Sequence, residues 1–210
     1  MTTPSTPSAF GLTGGIACGK TTVAGYFREL GAHILDADVL GHELLMPGEP
    51  AYQEAIKRFG DRVLDLTGAV DRRKLGSVVF SDARERQALN AILHPRIIAR
   101  IGELVRDQQS RNPQALVIVD APLIYEAGIA ADFRKVIVVW CRPEQQLERL
   151  MAKTGLSREE AERRIMAQMP SDEKRRRADY VIDSTGSREQ TREQARALYL
   201  ELQQLAGLND

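Results

Sequence analysis

Ala9-Phe10-Gly11-Leu12-Thr13-Gly14-Gly15-Ile16-Ala17-Cys18-Gly19-Lys20-Thr21-Thr22 is the stretch on which the fold turns. Residues 9–13 read as a short apolar strand. Gly14 to Thr21 then satisfies G-x-x-x-x-G-K-[ST], the phosphate-binding loop. Glycines let the backbone curl so that successive N–H groups converge on phosphate oxygens, and the helix behind adds the positive end of its dipole. The expected nucleotide contacts are therefore Gly14, Gly15, Ile16, Ala17, Cys18, Gly19, Lys20, Thr21 and Thr22. Lys20 supplies a point charge for the β- and γ-phosphates, and the Thr21 hydroxyl is an Mg²⁺ ligand. Cys18 is open to two readings, a nucleophile or a loop residue lending only its N–H. A helix N-terminus does lower a thiol pKa, but the phosphate loop needs only the amide.

A helix is expected from about Lys20 to Leu30, because Val23, Tyr26, Phe27 and Leu30 share one face. Gly31 stands where a helix end favours glycine. A second strand, Ala32-His33-Ile34-Leu35, runs into Asp36-Ala37-Asp38. From Val39 to about Arg111 the sequence offers no convincing strand, only candidate helices near 39–45, 50–59, 71–79, 82–93 and 96–110. Leu116–Val119 and Val136–Trp140 are continuous apolar runs, the mark of strands covered on both faces. A charged helical stretch spans 143–177, with a capping pattern at Ser157-Arg-Glu-Glu160. Tyr180-Val-Ile182 is a last strand, and a helix near 188–206 closes the chain. The alternation predicts an α/β fold. Its form is the three-layer P-loop NTPase fold, a five-stranded parallel sheet with two helical excursions. The core is expected at 9–38, 112–142 and 178–210, with a helical insertion at 39–111 and a charged helical excursion at 143–177.

The chain holds 29 basic and 29 acidic residues, so no nucleic-acid partner is expected. Two cysteines, Cys18 and Cys141, suggest neither a disulfide framework nor a zinc cluster. No apolar run approaches the roughly 20 residues of a membrane span. The polar start, residues 1–8, lacks a signal peptide's charged and apolar regions and reads as a disordered tail. A cytoplasmic monomer is expected.

Among nucleotide-binding proteins, a GTPase would carry Asn-Lys-x-Asp after a strand, and none occurs. Asp65-Leu-Thr-Gly68 matches a GTPase switch pattern but follows no strand, and reads as a turn. A small kinase remains. Phosphoryl transfer to a hydroxyl calls for a carboxylate beside the attacking oxygen. Asp36 and Asp38 stand where the second strand ends, the ligand side of an open α/β sheet. Alternate residues of an extended segment face the same way, so both could enter one cleft; helix capping is the plainer role for the pair. Asp120, ending the next strand, is either a Walker-B-like Mg²⁺ carboxylate or a turn residue. Arg149 is the favoured lid arginine, while Lys174-Arg-Arg-Arg177 reads as a solvated run.

From about Phe10 to Gly186 the chain resembles the dephospho-coenzyme A kinases. The resemblance rests on Gly11–Ile16 with Gly19-Lys20, Gly31, Ile34-Leu-Asp-Ala-Asp38, Pro47-Gly48, Phe59-Gly60, Leu93-His-Pro95, Pro122-Leu123 with Glu126, Gln146-Leu147 with Arg149, Gln168, and Ala178–Asp183 with Gly186. It implies transfer of the ATP γ-phosphate to the ribose 3′-hydroxyl of dephospho-CoA, with Mg²⁺ as cofactor. It also implies Asp38 as general base, a helical acceptor (CoA) domain at 39–111, a lid at 143–177, and acceptor contacts at Asp36, His94, Pro122 and Leu123. On its own, His94 before Pro95 means only a break between two helices. The family commonly has Gly-Ser where this chain has Ala17-Cys18, Ser where it has Thr21, an arginine at Lys153 and an Asn at Ser184. Another small-molecule kinase, or a nucleotide-binding regulator without turnover, shares the loop; the acceptor region and the effect of replacing Asp38 separate them.

Overall fold

The computed structural model describes residues 9–207, so the expected tail at 1–8 lies outside the described residues. The chain forms two compact units, one comprising the residues up to Leu35 together with those from Val105 onward, the other Asp36–Leu104.

The first unit is built on β1 (Phe10–Gly14), β2 (His33–Asp36), β3 (Val117–Asp120), β4 (Val136–Trp140) and β5 (Tyr180–Asp183). The five strands lie in the order β2-β3-β1-β4-β5. β1 pairs in parallel with β3 and β4, and β4 with β5. The expected five-stranded sheet is present, and the strand that leads into the phosphate loop lies at its centre. Every residue of β1, β3 and β4 is buried, which is why those runs read as continuously apolar rather than alternating.

Side chains of β1 alternate between two faces. Phe10 and Leu12 pack with Val23 and Phe27 of α1 (Lys20–Glu29) and with residues of the C-terminal helix, among them Ala195, Leu198 and Leu202. Gly11 faces the other way, where a Cβ would lie 2.7 Å from Ile124 and 3.0 Å from Phe133. The absent side chain lets the segment after β3 close on the sheet.

In the second unit, Leu45, Ala55, Phe59, Val63, Val70 and Leu75 form a separate apolar cluster. Its helices are α2 (Ala37–Glu43), α3 (Pro50–Phe59), α4 (Arg72–Ser81) and α5 (Ala83–Arg111), the last continuing into the first unit. The Asp65–Gly68 segment is a turn. Asp65 Oδ1 accepts from Thr67 Oγ1 at 2.6 Å and from the amides of Thr67 and Ala69 at 2.8 and 3.1 Å. Those bonds, the Thr67 hydroxyl first, hold its carboxyl below the usual range.

The expected break at His94-Pro95 is absent, because α5 runs through Pro95 without interruption. A proline removes one helical N–H bond and crowds the carbonyl four residues back. Here the rest of a 29-residue helix continues on both sides. The next residue, Arg96, donates through Nη1 to the Ile92 carbonyl at 2.6 Å, an extra bond beside the lost one.

The charged stretch of the first unit folds as α6 (Pro143–Thr154), α7 (Arg158–Met166) and α8 (Ser171–Arg177). Ser157 caps α7 through the Glu160 amide at 3.2 Å. α8 is fastened to the end of β4, where Trp140 Nε1 donates to Asp172 at 2.7 Å and Arg175 stacks 4.1 Å over the indole. The basic run is therefore not simply a solvated face. Arg176 and Arg177 are exposed and pair with Glu173, but Lys174 is 0% exposed. α9 (Arg188–Ala206) opens with a capping box between Ser187 and Gln190 and packs on α1.

Candidate active site

The loop between β1 and α1 begins at Gly14, where a Cβ would stand 2.5 Å from the Val139 carbonyl oxygen. Backbone cannot yield as a side chain can, so only glycine brings the loop this close to β4. Gly19 immediately before the helix has φ 93°. Ala17 has φ 61°, the only left-handed non-glycine among the described residues. That conformation costs an alanine about 1–2 kcal/mol. Since glycine gives back roughly 0.5–1 kcal/mol through chain entropy, Ala17→Gly is expected to stabilise the protein by about 0.5–1 kcal/mol. Thermal unfolding checks this: the midpoint rises by roughly 1–4 °C, and an unchanged or lowered midpoint contradicts it.

Several side chains from distant parts of the sequence hold the loop. Gln146 Nε2 donates to the Ile16 carbonyl at 2.9 Å, and Gln168 Oε1 accepts from the Ile16 amide at 3.0 Å. Ser184 Oγ donates to the Cys18 carbonyl at 2.8 Å. Arg149 in turn donates to Ser184, through Nη1 to Oγ at 3.1 Å and through Nη2 to the carbonyl at 2.8 Å. Arg149 thus leaves α6 toward the Cys18–Ser184 junction. Ser184, which stands where the resemblance leads one to expect Asn, ties the end of β5 to the loop. The signal for these ties was thin: two glutamines and a serine carry no spacing that names an amide 130 or more residues away.

Lys20 Nζ is hydrogen-bonded to Asp120 Oδ1, with the two side chains 18% and 10% exposed. The loop lysine and the carboxylate at the end of β3 are therefore brought together. Thr21 and Thr22 are exposed on the first turn of α1. Among the described residues no group of three or more His, Cys, Asp or Glu side chains is placed to hold a metal alone. Mg²⁺ needs none, since it keeps several waters and is held by one or two protein oxygens plus substrate phosphates. Thr21 and Asp120 fit that donor set.

Cys18 and Cys141 are both buried and free, with their sulfurs 3.1 Å apart in a hydrogen bond. That contact and burial push the Cys18 thiol well above its usual range. It stays protonated, which favours the amide-only reading of Cys18 over the nucleophile.

Beyond β3, the Pro122 carbonyl accepts from Thr13 Oγ1 at 3.0 Å, while Leu123 is 40% exposed. In the second unit, Asp36 Oδ1 accepts from the amides of Asp38 and Val39 at 2.9 and 3.1 Å and caps α2. The expectation that Asp36 and Asp38 point the same way along an extended segment is corrected: Asp36 ends β2, whereas Asp38 lies in the first turn of α2 and is exposed. A competing turn of helix replaced the extended run because Asp36 itself starts it. His94 is half-buried in α5, and burial holds its imidazole below the usual range. The same unit contains an open cleft of about 450 Å³ lined by Leu40, Leu44, Pro50, Arg96 and Arg100, among others.

A phosphate loop at the carboxyl end of the central strand, with a lysine and a strand-end carboxylate in contact beside it, defines a P-loop nucleotide-binding protein. The model of the dephospho-CoA kinase family matches residues 8–190, and the chain belongs to that family. It is 47% identical to the dephospho-CoA kinase of Symbiobacterium thermophilum, over 90% of this chain and 79% of that protein. It is also 47% identical to that of Bacillus licheniformis, over 90% and 93% of the two chains. The solved structure of a dephospho-CoA kinase from Campylobacter jejuni superposes with a TM-score of 0.69 at 30% identity, covering 94% of this chain and 98% of that one. Among the described residues no helix is long and apolar enough to cross a membrane.

Proposed function

We propose that the chain transfers the γ-phosphate of ATP to the 3′-hydroxyl of the ribose of dephospho-CoA, giving coenzyme A and ADP. The observation that carries this reading is the family match across residues 8–190, which takes in the phosphate loop and Asp36-Ala37-Asp38 alike. In this reading the amides from Gly14 to Thr22 and the Lys20 ammonium bind the donor phosphates. Arg149 adds positive potential beside the loop from its seat on Ser184. Asp38 takes the proton of the attacking hydroxyl as the general base. Helix Ala37–Glu43 offers it at its N-terminal turn, while Asp36 holds that turn in place.

Thr21 and Asp120 would hold Mg²⁺. Bound there, Mg²⁺ would supply positive charge against what develops on the phosphates in transfer. The helical unit Asp36–Leu104 receives the acceptor, with Asp36 and His94 as contacts there; Pro122 and Leu123 contribute from the segment after β3. The pantetheine arm has the length and mixed polarity suited to the cleft beside Leu40 and Arg96. Residues 143–177 cover the donor as a lid. The balanced charge supports small-molecule substrates over nucleic acid, and the reading is of a cytoplasmic monomer that does not engage a membrane.

The test is ADP release with ATP and Mg²⁺ in the presence of dephospho-CoA, adenosine, AMP or gluconate, with product mass read for each. Turnover is expected with dephospho-CoA alone, adding one phosphate. Activity on another acceptor and none on dephospho-CoA would overturn the substrate assignment.

A further inference from the structure

Among the described residues Lys174 is the one buried lysine, with 0% of its surface exposed, and the chemistry proposed above makes no use of it. Its Nζ donates to the Pro122 carbonyl at 2.7 Å and pairs with Glu126 Oε1 at 2.8 Å. The Glu126 side chain is 22% exposed, so the pair sits largely out of water. Burying charge this way is a poor route to stability, because desolvation offsets most of the attraction. Its value lies in where its other bonds lead.

Glu126 Oε1 also accepts the Met169 amide at 3.0 Å. The preceding residue is Gln168, whose Oε1 accepts the Ile16 amide of the phosphate loop at 3.0 Å. On the other side, the Pro122 carbonyl that receives Lys174 also receives Thr13 Oγ1 at 3.0 Å, and Thr13 directly precedes Gly14. The pair therefore reaches the loop at both ends, through Pro122 to Thr13 and through Met169-Gln168 to Ile16. It is itself anchored, since Asp172 and Arg175 of the same short helix clasp Trp140 at the end of β4.

We propose that Lys174 and Glu126 are positioning residues for ATP binding: together they fix residues 168–169 and the 122 carbonyl, and so set the shape of the phosphate loop. Neither is expected to touch the nucleotide. The inference rests on reading that loop as the ATP site, and not on the identity of the acceptor.

The test is a double-mutant cycle on the full chain, reading MgATP affinity by calorimetry without acceptor, with thermal unfolding alongside. Lys174→Met with Glu126→Ala removes both charges at once, which avoids stranding a lone buried ion. Gln168→Ala removes the loop contact. Each is expected to weaken MgATP binding roughly 5- to 20-fold. Because they act through one relay, combining them should add no more than about twofold. Lys174→Met with Glu126→Gln likewise strands no ion but keeps an oxygen for the Met169 amide, and is expected to bind MgATP more tightly than the pair with Glu126→Ala. The proposal is overturned if the effects multiply, if the paired replacement lowers only the melting temperature, or if Lys174→Met with Glu126→Gln binds no better than the pair with Glu126→Ala. Wild-type chain that fails to bind MgATP would instead remove the ATP reading, whereas a wrong acceptor leaves every one of these affinities intact.

Discussion

Asp38→Asn is expected to lower kcat about 10³-fold while leaving MgATP affinity within about threefold of wild type. The replacement keeps shape and volume but puts an amide where the attacking hydroxyl must deliver its proton. The N-cap of the second helix is Asp36, through the amides of Asp38 and Val39, so losing the Asp38 carboxylate does not uncap it. Its negative charge on the first helical turn contributes roughly 0.3–1 kcal/mol at an exposed site. Asp36 makes the contrasting control. Asp36→Asn retains a capping oxygen and should preserve the helix, whereas Asp36→Ala costs about 1 kcal/mol through the lost cap. Steady-state kinetics with thermal unfolding separates the two carboxylates: if Asp38→Asn keeps kcat within tenfold of wild type, the base lies elsewhere.

The sequence made the donor side legible because its signal is local. Gly14 to Thr21 fixes a strand, a loop and a helix within a few residues, and the requirement for glycine at 14 follows from the approach to Val139. The buried strands were legible for a related reason, since burial on both faces erases alternation. What escaped depended on partners far along the chain. Lys174 sits in a four-residue basic run and looks like its neighbours, yet Glu126 and the Pro122 carbonyl, 52 residues away, take it out of solvent. Gln146 and Gln168 matched the family pattern but gave no hint that they hold the carbonyl and the amide of one residue, Ile16. Cys18 and Cys141 seemed unrelated at a separation of 123 residues, although two adjacent parallel elements bring their sulfurs into contact. Pro95 misled in the opposite direction, because a local rule about the residue before proline was overridden by a long helix able to lose one bond. Asp36 shows a third kind of limit: the residue was read correctly as a chemical landmark, but its capping bond turned the chain helical at Ala37, two residues sooner than the extended reading allowed.

Lys20→Met should reduce kcat/KM for ATP by about 10³-fold, and it should also destabilise the protein, for a reason separate from catalysis. The Lys20 ammonium is the hydrogen-bonded partner of Asp120, whose side chain is only 10% exposed. Methionine fills the same volume but leaves that carboxylate without its counter-charge, a loss of about 1–3 kcal/mol. Asp120→Asn on its own removes the charge and a metal oxygen, so it should impair turnover with a smaller effect on folding. The informative variant combines them. In Lys20→Met with Asp120→Asn the buried charge is gone together with the lysine, so the melting temperature should recover most of what Lys20→Met lost. Activity should not recover, because no group remains to meet the β- and γ-phosphates. Thermal unfolding and ATP kinetics on the three variants decide it. A double variant as unstable as Lys20→Met would mean that the lysine stabilises the loop through its packing and not through Asp120; one that regained turnover would remove Lys20 from the phosphate site.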